Sequence, residues 1–229
     1  MSITRGDLAP AVLAGTGGLG GMRSSRTRLK IALPSPGRCP DQPTLLILMF
    51  DDSGSMLGGN DSAGLRYEEA ALAVQAVGKR CRCGGERVAV LHMNRPTSGD
   101  LKPTPIQQRN WSDIETALDI PADTDGASAM SATLQRAAEL AEQHRGDRVF
   151  LLAFSDYELF EDMHQLAVDL AAFPGQAHAI VMRSEPPAIF AEYDKIAVTH
   201  VPTGQEPGLV ARTIFDVLTG PRRPDRRGR

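Results

Sequence analysis

Short uncharged runs alternate along this chain with longer stretches of helical periodicity. Five apolar runs predict strands that are buried on both faces, at 44–50, 88–91, 149–154, 177–182 and 196–201. Periodic apolar residues and turn signals predict helices at 65–77, 112–118, 129–144, 159–173, 187–193 and 207–218. Strands that alternate with helices are typical of a parallel sheet covered on both faces.

The predicted fold is therefore of the α/β class, a Rossmann-like three-layer α/β/α arrangement with a mainly parallel central sheet. Residues 94–111 contain three prolines, and we expect them to form one short antiparallel edge strand around Ile106. Ser112 and Glu115 have the spacing of a capping box, which predicts that Ser112 caps the helix at 112–118.

Charge divides the chain into a body and two tails. Residues 1–40 carry a net charge of +5 and residues 220–229 one of +4, so the total of −3 leaves −12 on residues 41–219. We expect one domain at 41–219 between two mostly flexible basic tails, because both tails are rich in Gly, Pro, Ser and Arg. Residues 28–34 alternate in character and predict an edge strand or a strap across the domain. The acidic body argues against nucleic acid as a ligand of the folded domain.

Composition also bears on the compartment. No run reaches the roughly 18 apolar residues of a membrane helix, and Pro10 interrupts the apolar stretch at 8–14, which makes a poor secretory signal. Cys39, Cys81 and Cys83 are an odd number of thiols, and a Cys-x-Cys pair alone is no zinc site. We therefore expect no membrane contact and a reducing, cytoplasmic location.

Three predicted loops carry side chains with oxygen ligands. Asp51, Ser53 and Ser55 follow the first predicted strand, residues 125–128 precede the third helix, and Ser155–Asp156 follow the third strand. The carboxyl ends of parallel strands meet at one edge of a sheet, where open α/β folds bind their ligands. Carboxylate and hydroxyl oxygens without sulfur suit a hard divalent cation, so this edge is predicted to be a metal site.

These loops resemble the metal-ion-dependent adhesion site of von Willebrand factor A domains, also called integrin I domains. The resemblance covers roughly residues 42–219. In that family the first loop is Asp-x-Ser-x-Ser, the second supplies a hydroxyl, usually a threonine, and the third supplies an aspartate. Matched in this way, the resemblance implies five metal-site residues: Asp51, Ser53, Ser55, Ser128 and Asp156.

Two positions depart from the family pattern. Ser128 stands where the family usually has threonine; it keeps the hydroxyl but lacks the methyl group that restricts the rotamer. Tyr157 stands where the family usually has glycine after the last aspartate. Because non-glycine residues avoid positive φ, we expect that this loop does not use such a conformation. Neither change removes a ligand oxygen.

The resemblance also implies a function. Ser53 and Ser55 would bind the ion directly, Ser128 directly or through water, and Asp51 and Asp156 mainly through water. The expected ion is Mg²⁺, with Mn²⁺ or Ca²⁺ as alternatives, and its open position would accept a Glu or Asp of another protein. The predicted function is protein docking and not enzymatic. Small bacterial domains of this family often act beside AAA+ ATPases, so an ATPase partner in a bacterial multiprotein system is one expectation.

Two other classes of function remain as alternatives. A magnesium-dependent phosphatase of the haloacid dehalogenase type also has an aspartate after a strand, but its second acid, two positions after Asp51, is here Ser53. A serine hydrolase would need a histidine base near Ser53 or Ser55, and no histidine position suggests one. The second alternative is a metal-independent interaction module with a degenerate site.

Several other polar residues are interpreted as structural. Asp52 is expected to point away from the ion, as a surface acid or a hydrogen-bonding residue of the loop, and Asp61 as a turn residue. Glu69, Glu161 and Asp162 are interpreted as parts of solvated helix faces. The histidines show no metal spacing and are interpreted as scattered surface or packing residues: His92, His144, His164, His178 and His200.

Overall fold

The fold is built around a six-stranded sheet in the order β3-β2-β1-β4-β5-β6, in which only β3 is antiparallel. This computed structural model describes residues 29–81, 83–124, 126 and 129–220. The strands are β1 Thr44–Phe50, β2 Glu86–His92, β3 Leu101–Pro105, β4 Arg148–Ser155, β5 Gln176–Met182 and β6 Ile196–Val201. The predicted α/β class and the single antiparallel edge strand are confirmed.

Helices cover both faces of the sheet. The α-helices are α1 Arg66–Gly78, α2 Trp111–Ala117, α3 Ser131–Gln143, α4 Met163–Ala171 and α5 Leu209–Thr219. Helices α1, α2 and α5 share one hydrophobic core with the sheet, and α3 and α4 share the other. Short 3-10 helices occupy Gly54–Met56, Gln108–Asn110 and Ala188–Glu192, the last in place of the short helix predicted at 187–193. Within the described part of the chain, no helix has both the length and the apolar character needed to cross a membrane.

Strand β1 contributes to both cores because its side chains alternate between the two faces of the sheet. Leu46, Leu48 and Phe50 belong to the core beneath α1 and α5, while the intervening residues belong to the core beneath α3 and α4. Every residue of β1 is buried. The uncharged run at 44–50 is therefore the central strand that its composition predicts.

Two helix starts differ from the sequence prediction. The cap position of α2 is Asn110, and Ser112 lies inside the helix, so the capping-box prediction is wrong. Helix α4 begins at Met163 and not at 159, because the Asp162 carboxylate accepts the N–H groups of His164 (2.8 Å) and Gln165 (3.3 Å). Asp162 is thus the N-cap of α4, which corrects its interpretation as part of a solvated helix face.

Residues 29–43, which we call the strap, contain no helix or strand. Ile31 and Leu33 pack against the core beneath α1, and the guanidinium of Arg80 donates to Ser35 Oγ at 2.7 Å. An edge strand or a strap was predicted for residues 28–34, and the described part of this segment forms a strap. Residues 1–28 and 221–229 lie outside the described part, so the flexibility of both tails stays a prediction.

Glu69 is buried inside the fold, which corrects its interpretation as part of a solvated helix face. Its carboxylate accepts from Ser62 Oγ at 2.6 Å and from the N–H of Ala211 at 2.8 Å. Ala211 lies in the first turn of α5, so Glu69 of α1 satisfies a free N–H group at the start of another helix. Burial raises the pKa of Glu69, although these hydrogen bonds act in the opposite direction.

Candidate metal-binding site

The candidate site lies where β1 and β4 end side by side in the middle of the sheet. Strand β1 has β2 on one side and β4 on the other, so the chain order reverses here and leaves a crevice between the loops. The N–H of Asp51 donates to Phe154 O at 2.9 Å, and that of Met93 donates to Phe50 O at 2.9 Å. These bonds extend the sheet past the strand ends, so the loops after β1, β2 and β4 start at the same edge.

Asp51 is the first residue after β1, and its side chain is held by two loops. One carboxylate oxygen accepts from the N–H of Ser53 at 2.8 Å, and the other accepts from Ser155 Oγ at 2.6 Å. Asp51 is fully buried, and this burial raises its pKa; the nearby charge of Asp156 acts in the same direction. Burial and the proximity of a second acid both disfavour the charged form of Asp51. A bound cation would offset both effects.

The two hydroxyls of the first loop face each other. Ser53 Oγ and Ser55 Oγ are 3.1 Å apart, and the 3-10 turn Gly54–Met56 brings them to the same side of the loop. Ser53 is buried whereas Ser55 is exposed, so this pair lies where the site meets solvent. Adjacent oxygens around an octahedral ion with bonds of about 2.0–2.1 Å are separated by about 2.9 Å. The hydroxyl pair therefore has a spacing close to that of two ligands of one ion.

Asp156 extends the site from the end of β4. It is buried, its carboxylate accepts from the N–H of Glu158 at 3.0 Å, and its carbonyl oxygen accepts from Ser184 Oγ. Asp156 directly follows Ser155, whose hydroxyl donates to the Asp51 carboxylate, so the two acids lie at adjoining strand ends. The structure thus brings together four of the five predicted site residues: Asp51, Ser53, Ser55 and Asp156.

The fifth predicted residue, Ser128, lies outside the described residues, so its role stays a prediction. The chain on either side of it does reach the site. A side-chain carbon at Gly126 would lie 3.8 Å from Asp52 O, and the carbonyl of Ala129 accepts from the N–H of Asn94 at 2.9 Å.

Glu161 accepts from the N–H groups of Met130 and Ser131 at 2.9–3.2 Å. Glu161 therefore anchors the start of α3 and is no solvated helix face.

Tyr157 has a φ of +57°, so the expectation that this loop avoids positive φ is wrong. Its N–H donates to Ser155 Oγ at 2.9 Å, its hydroxyl donates to Ala153 O at 3.1 Å, and its ring packs edge-on against Phe190. These contacts hold the residue in a conformation that tyrosine alone disfavours.

Backbone strain is concentrated at this edge of the sheet. Three described residues other than glycine have positive φ, and each follows a strand by one or two positions: Asn94 after β2, Tyr157 after β4 and Arg183 after β5. Conformations of this kind persist only where surrounding contacts impose them, and they are frequent at functional sites. The strain thus independently marks the edge that carries the oxygen side chains.

Asp52 is not a surface acid but the centre of a buried network. Its carboxylate accepts from Tyr67 OH at 2.6 Å, from His92 Nδ1 at 2.7 Å and from the guanidinium of Arg66 at 3.2 Å. Arg66 also donates to the carbonyl oxygens of Asp51 (2.9 Å) and Met56 (2.8 Å). Asp52 is therefore a hydrogen-bonding residue of the loop, one of the two roles predicted for it, and its contacts hold the first loop from inside the fold.

Two residues that the sequence did not single out connect the loops. The guanidinium of Arg183, just after β5, donates to the carbonyls of Ser55 and Gly58 and pairs with Asp61 at 3.3 Å. Ser184 donates to Asp156 O. Arg183 therefore holds the first loop, and the next residue, Ser184, holds the third. In the sequence, Arg183 stands out as an arginine directly after an apolar strand. The carbonyl groups that it binds lie more than a hundred residues earlier, so the sequence did not indicate this contact.

Comparison with known proteins supports the fold. The VWA domain of SpRpn10 aligns over 77% of this chain and 95% of its own length, with a TM-score of 0.50 and 17% identity. Proximal thread matrix protein 1 from the mussel byssus aligns over 78% of this chain with a TM-score of 0.52 and 16% identity. The match covers 48% of that protein, so this chain spans about half of its length.

No family profile matches the sequence, and no curated protein matches it either. The structural matches have low identity and therefore speak to the fold alone. On that basis the chain has a von Willebrand factor A fold, as the resemblance of its three loops implied.

Proposed function

We propose that this von Willebrand factor A fold is a docking module in which a divalent cation at the sheet edge receives a carboxylate from a partner protein. Ser53 and Ser55 hold the ion directly, and Ser128 binds it directly or through water. Asp51 and Asp156 act mainly through water molecules. The observation that carries this proposal is the 3.1 Å pair of Ser53 and Ser55 hydroxyls beside the buried Asp51 carboxylate.

The donor set favours Mg²⁺, with Mn²⁺ and Ca²⁺ as alternatives. Hydroxyls are neutral ligands, and Mg²⁺ keeps several water molecules in its octahedral shell. An ion with few direct carboxylate ligands retains much of its charge and attracts a Glu or Asp side chain of another protein. Arg66 and Arg183 hold the carbonyls of the first loop, so the hydroxyls remain oriented before a partner arrives.

The hydrogen bonds favour docking over hydrolysis. In the described part of the chain, the bonds made by the side chains of Ser53 and Ser55 involve no histidine, and Asp52 is fully engaged by Tyr67, His92 and Arg66. A nucleophilic serine without a base is unreactive. The proposed setting is a cytoplasmic bacterial assembly, with an AAA+ ATPase as a candidate partner.

Metal titration tests the proposal directly. The double variant Ser53→Ala/Ser55→Ala, which removes two direct ligands, should weaken Mn²⁺ and Mg²⁺ binding by more than about 100-fold, and Asp51→Ala, which removes a partner that acts through water, by about 10–100-fold. Isothermal titration calorimetry measures this loss. Asp113→Ala, which removes an exposed acid on α2, is the matched control and should bind metal as the wild type does.

Partner capture tests the second half of the proposal. The wild-type chain should retain a partner from bacterial lysate with Mg²⁺ and lose it with EDTA, while Asp51→Ala should retain none in either condition. Capture that persists in EDTA would favour the metal-independent interaction module. Turnover of a phosphate ester with Mg²⁺ would favour the hydrolase instead.

A further inference from the structure

A second cluster of metal-ligand side chains lies at the opposite end of α1 from the first loop, where the strap meets the end of the helix. Cys39 is on the strap, Cys81 follows the end of α1, and Cys83 lies in the turn that leads into β2. Their three sulfur atoms all lie within 4.8 Å of one another. Cys39 Sγ is 3.5 Å from Cys81 Sγ, which is 3.1 Å from Cys83 Sγ.

These spacings suit a thiophilic ion. Zinc binds sulfur at about 2.3 Å in tetrahedral geometry, which separates two sulfur ligands by about 3.8 Å. The separations of 3.5 Å and 3.1 Å are slightly shorter than that value, and the third is at most 4.8 Å, so small side-chain movements would bring the sulfurs to the ligand spacing. A disulfide would use only two of the three thiols, whereas one ion uses all three. No disulfide joins any two of these three cysteines in this structure.

The surroundings of the cluster are also those of a ligand site. The N–H of Gly85 donates to Cys83 Sγ at 3.4 Å, and Gly84 has a φ of +71°, so the Cys-x-Cys-Gly-Gly turn directs a backbone donor to a sulfur. Cys81 is buried while Cys39 and Cys83 are exposed, so an ion held by the three sulfurs would lie at the protein surface with one side open to solvent. Lys79 and Arg109 line the adjoining groove and offset the negative charge of thiolates.

We propose that Cys39, Cys81 and Cys83 bind one Zn²⁺ ion, with a solvent molecule at the fourth position of the tetrahedron. The ion ties the strap to the end of α1 and the start of β2, so it has a structural role and is separate from the sheet-edge site. On binding, each thiol loses its proton to solvent and forms a Zn–S bond; no electron is transferred. Because the ligands come from three segments, metal binding stabilises the folded chain.

Cobalt substitution tests this proposal, because tetrahedral Co²⁺–thiolate centres absorb in the near ultraviolet in proportion to their number of Co–S bonds. The experiment uses the reduced full-length chain carrying Ser53→Ala/Ser55→Ala, which removes two direct hydroxyl ligands of the sheet-edge ion. This variant should bind one Co²⁺ with that absorption, release it to Zn²⁺, and protect its thiols from a thiol reagent when Zn²⁺ is present. Zinc should also raise the thermal midpoint of this variant.

Single substitutions identify the ligands. Cys39→Ser and Cys83→Ser should each remove about one third of the absorption and weaken metal binding more than about 100-fold. Asp113→Ala should change neither. Both Cys39 and Cys83 are exposed, so these variants remain informative even if replacement of the buried Cys81 prevents folding.

Three results would overturn the proposal. They are the absence of the thiolate absorption, full reactivity of all three thiols in the presence of Zn²⁺, and a disulfide within the cluster that mass spectrometry detects in protein offered Zn²⁺ under non-reducing conditions. None of them bears on Mg²⁺ binding by Asp51, so the two sites can fail independently.

Discussion

Asp51 and Asp52 are neighbours in sequence and have different tasks in the structure. Side chains alternate at the end of a strand, so the two carboxylates leave β1 in different directions. Asp51 accepts from Ser53 and Ser155 at the open edge of the sheet. Asp52 accepts from Tyr67, His92 and Arg66 inside the fold, and burial raises the pKa of the Tyr67 phenol well above its ordinary value of 10.0. Tyr67 is therefore a neutral donor to a buried acid.

Replacing each carboxylate with a neutral amide should distinguish the role of Asp51 from that of Asp52 by the effect on stability. Asp52→Asn should lower the free energy of unfolding by about 3 kcal/mol, because it leaves the Arg66 guanidinium buried without its counter-charge. Asp51→Asn should cost far less without divalent metal, since burial already disfavours the charge of Asp51. Urea denaturation in EDTA measures both. A larger loss for Asp51→Asn than for Asp52→Asn would reverse the assignment.

Tyr157 illustrates how packing outweighs local preference. Left-handed backbone costs a non-glycine residue about 1–2 kcal/mol. Burying an aromatic side chain contributes about 1.5–3 kcal/mol, and an edge-on ring pair adds about 0.5–1.5 kcal/mol. Tyr157 is buried, and its ring contacts Phe190 in that geometry, so the contacts exceed the backbone cost. A glycine is thus not required after Asp156.

His178 on β5 should make stability depend on pH. Its Nε2 lies 2.8 Å from Thr199 Oγ1, and burial lowers its pKa from the ordinary 6.5. The unfolded chain therefore binds this proton more tightly, and the free energy of unfolding should fall as pH drops below about 6.5. Urea denaturation between about pH 7.5 and pH 5.5 should show a smaller fall for His178→Gln than for the wild type. Equal slopes would show that His178 is not responsible.

At the scale of elements, α1 connects the first loop to the far end of the sheet. Its start carries Arg66 and Tyr67, which bind Asp52, and its next turn carries Glu69, which binds the start of α5. One helix thus holds both the rear of the candidate site and the helix that covers β6. These contacts explain why three charged or polar residues of α1 are buried in an otherwise alanine-rich helix.

Adjacent acids on α1 test the Glu69 contact. Glu69→Ala should lower the free energy of unfolding by about 2–3 kcal/mol, because it leaves buried donors of Ser62 and Ala211 without an acceptor. Glu68→Ala, a matched change on a more exposed side chain, should have an effect within about 0.5 kcal/mol. Thermal or urea denaturation measures the pair. Similar losses for both variants would contradict the proposed cap.

At the scale of the whole molecule, charge affects what can approach the sheet edge. The net charge of −12 on residues 41–219 attracts cations and repels an acidic partner. A bound divalent ion at the edge would reverse the local sign for a partner carboxylate. Docking would then depend on metal for an electrostatic reason as well as a coordinative one.

Ionic strength should therefore weaken metal binding. Raising NaCl from ~0.01 M to ~0.1 M shortens the Debye length from about 30 Å to about 10 Å and screens the acidic body from the ion. Calorimetry should show a lower Mg²⁺ affinity at the higher salt concentration, with the stoichiometry unchanged. An affinity that does not change with salt would show that only the residues of the crevice attract the ion.

The strands and the first and third loops could be predicted because their signals are local. A run such as 44–50 is apolar enough to be a central strand wherever it lies, and parallel strands bring their carboxyl ends to one edge. Asp51, Ser53, Ser55 and Asp156 follow from that rule together with the family resemblance. Helix starts were less predictable: α2 begins after Asn110, whose side chain makes no capping hydrogen bond, and α4 begins after Asp162, whose capping role no sequence pattern indicated.

The sequence by itself determined the α/β architecture, the antiparallel edge strand and the oxygen-bearing loops, because hydrophobic periodicity and strand direction act over short stretches of chain. Only the tertiary structure decided which acids are buried, how Tyr157 is held, and that Cys39 joins a Cys-x-Cys pair more than forty residues away. Those outcomes depend on contacts between segments that are distant in sequence. Which side chains meet in such contacts is set by the packing of the whole fold.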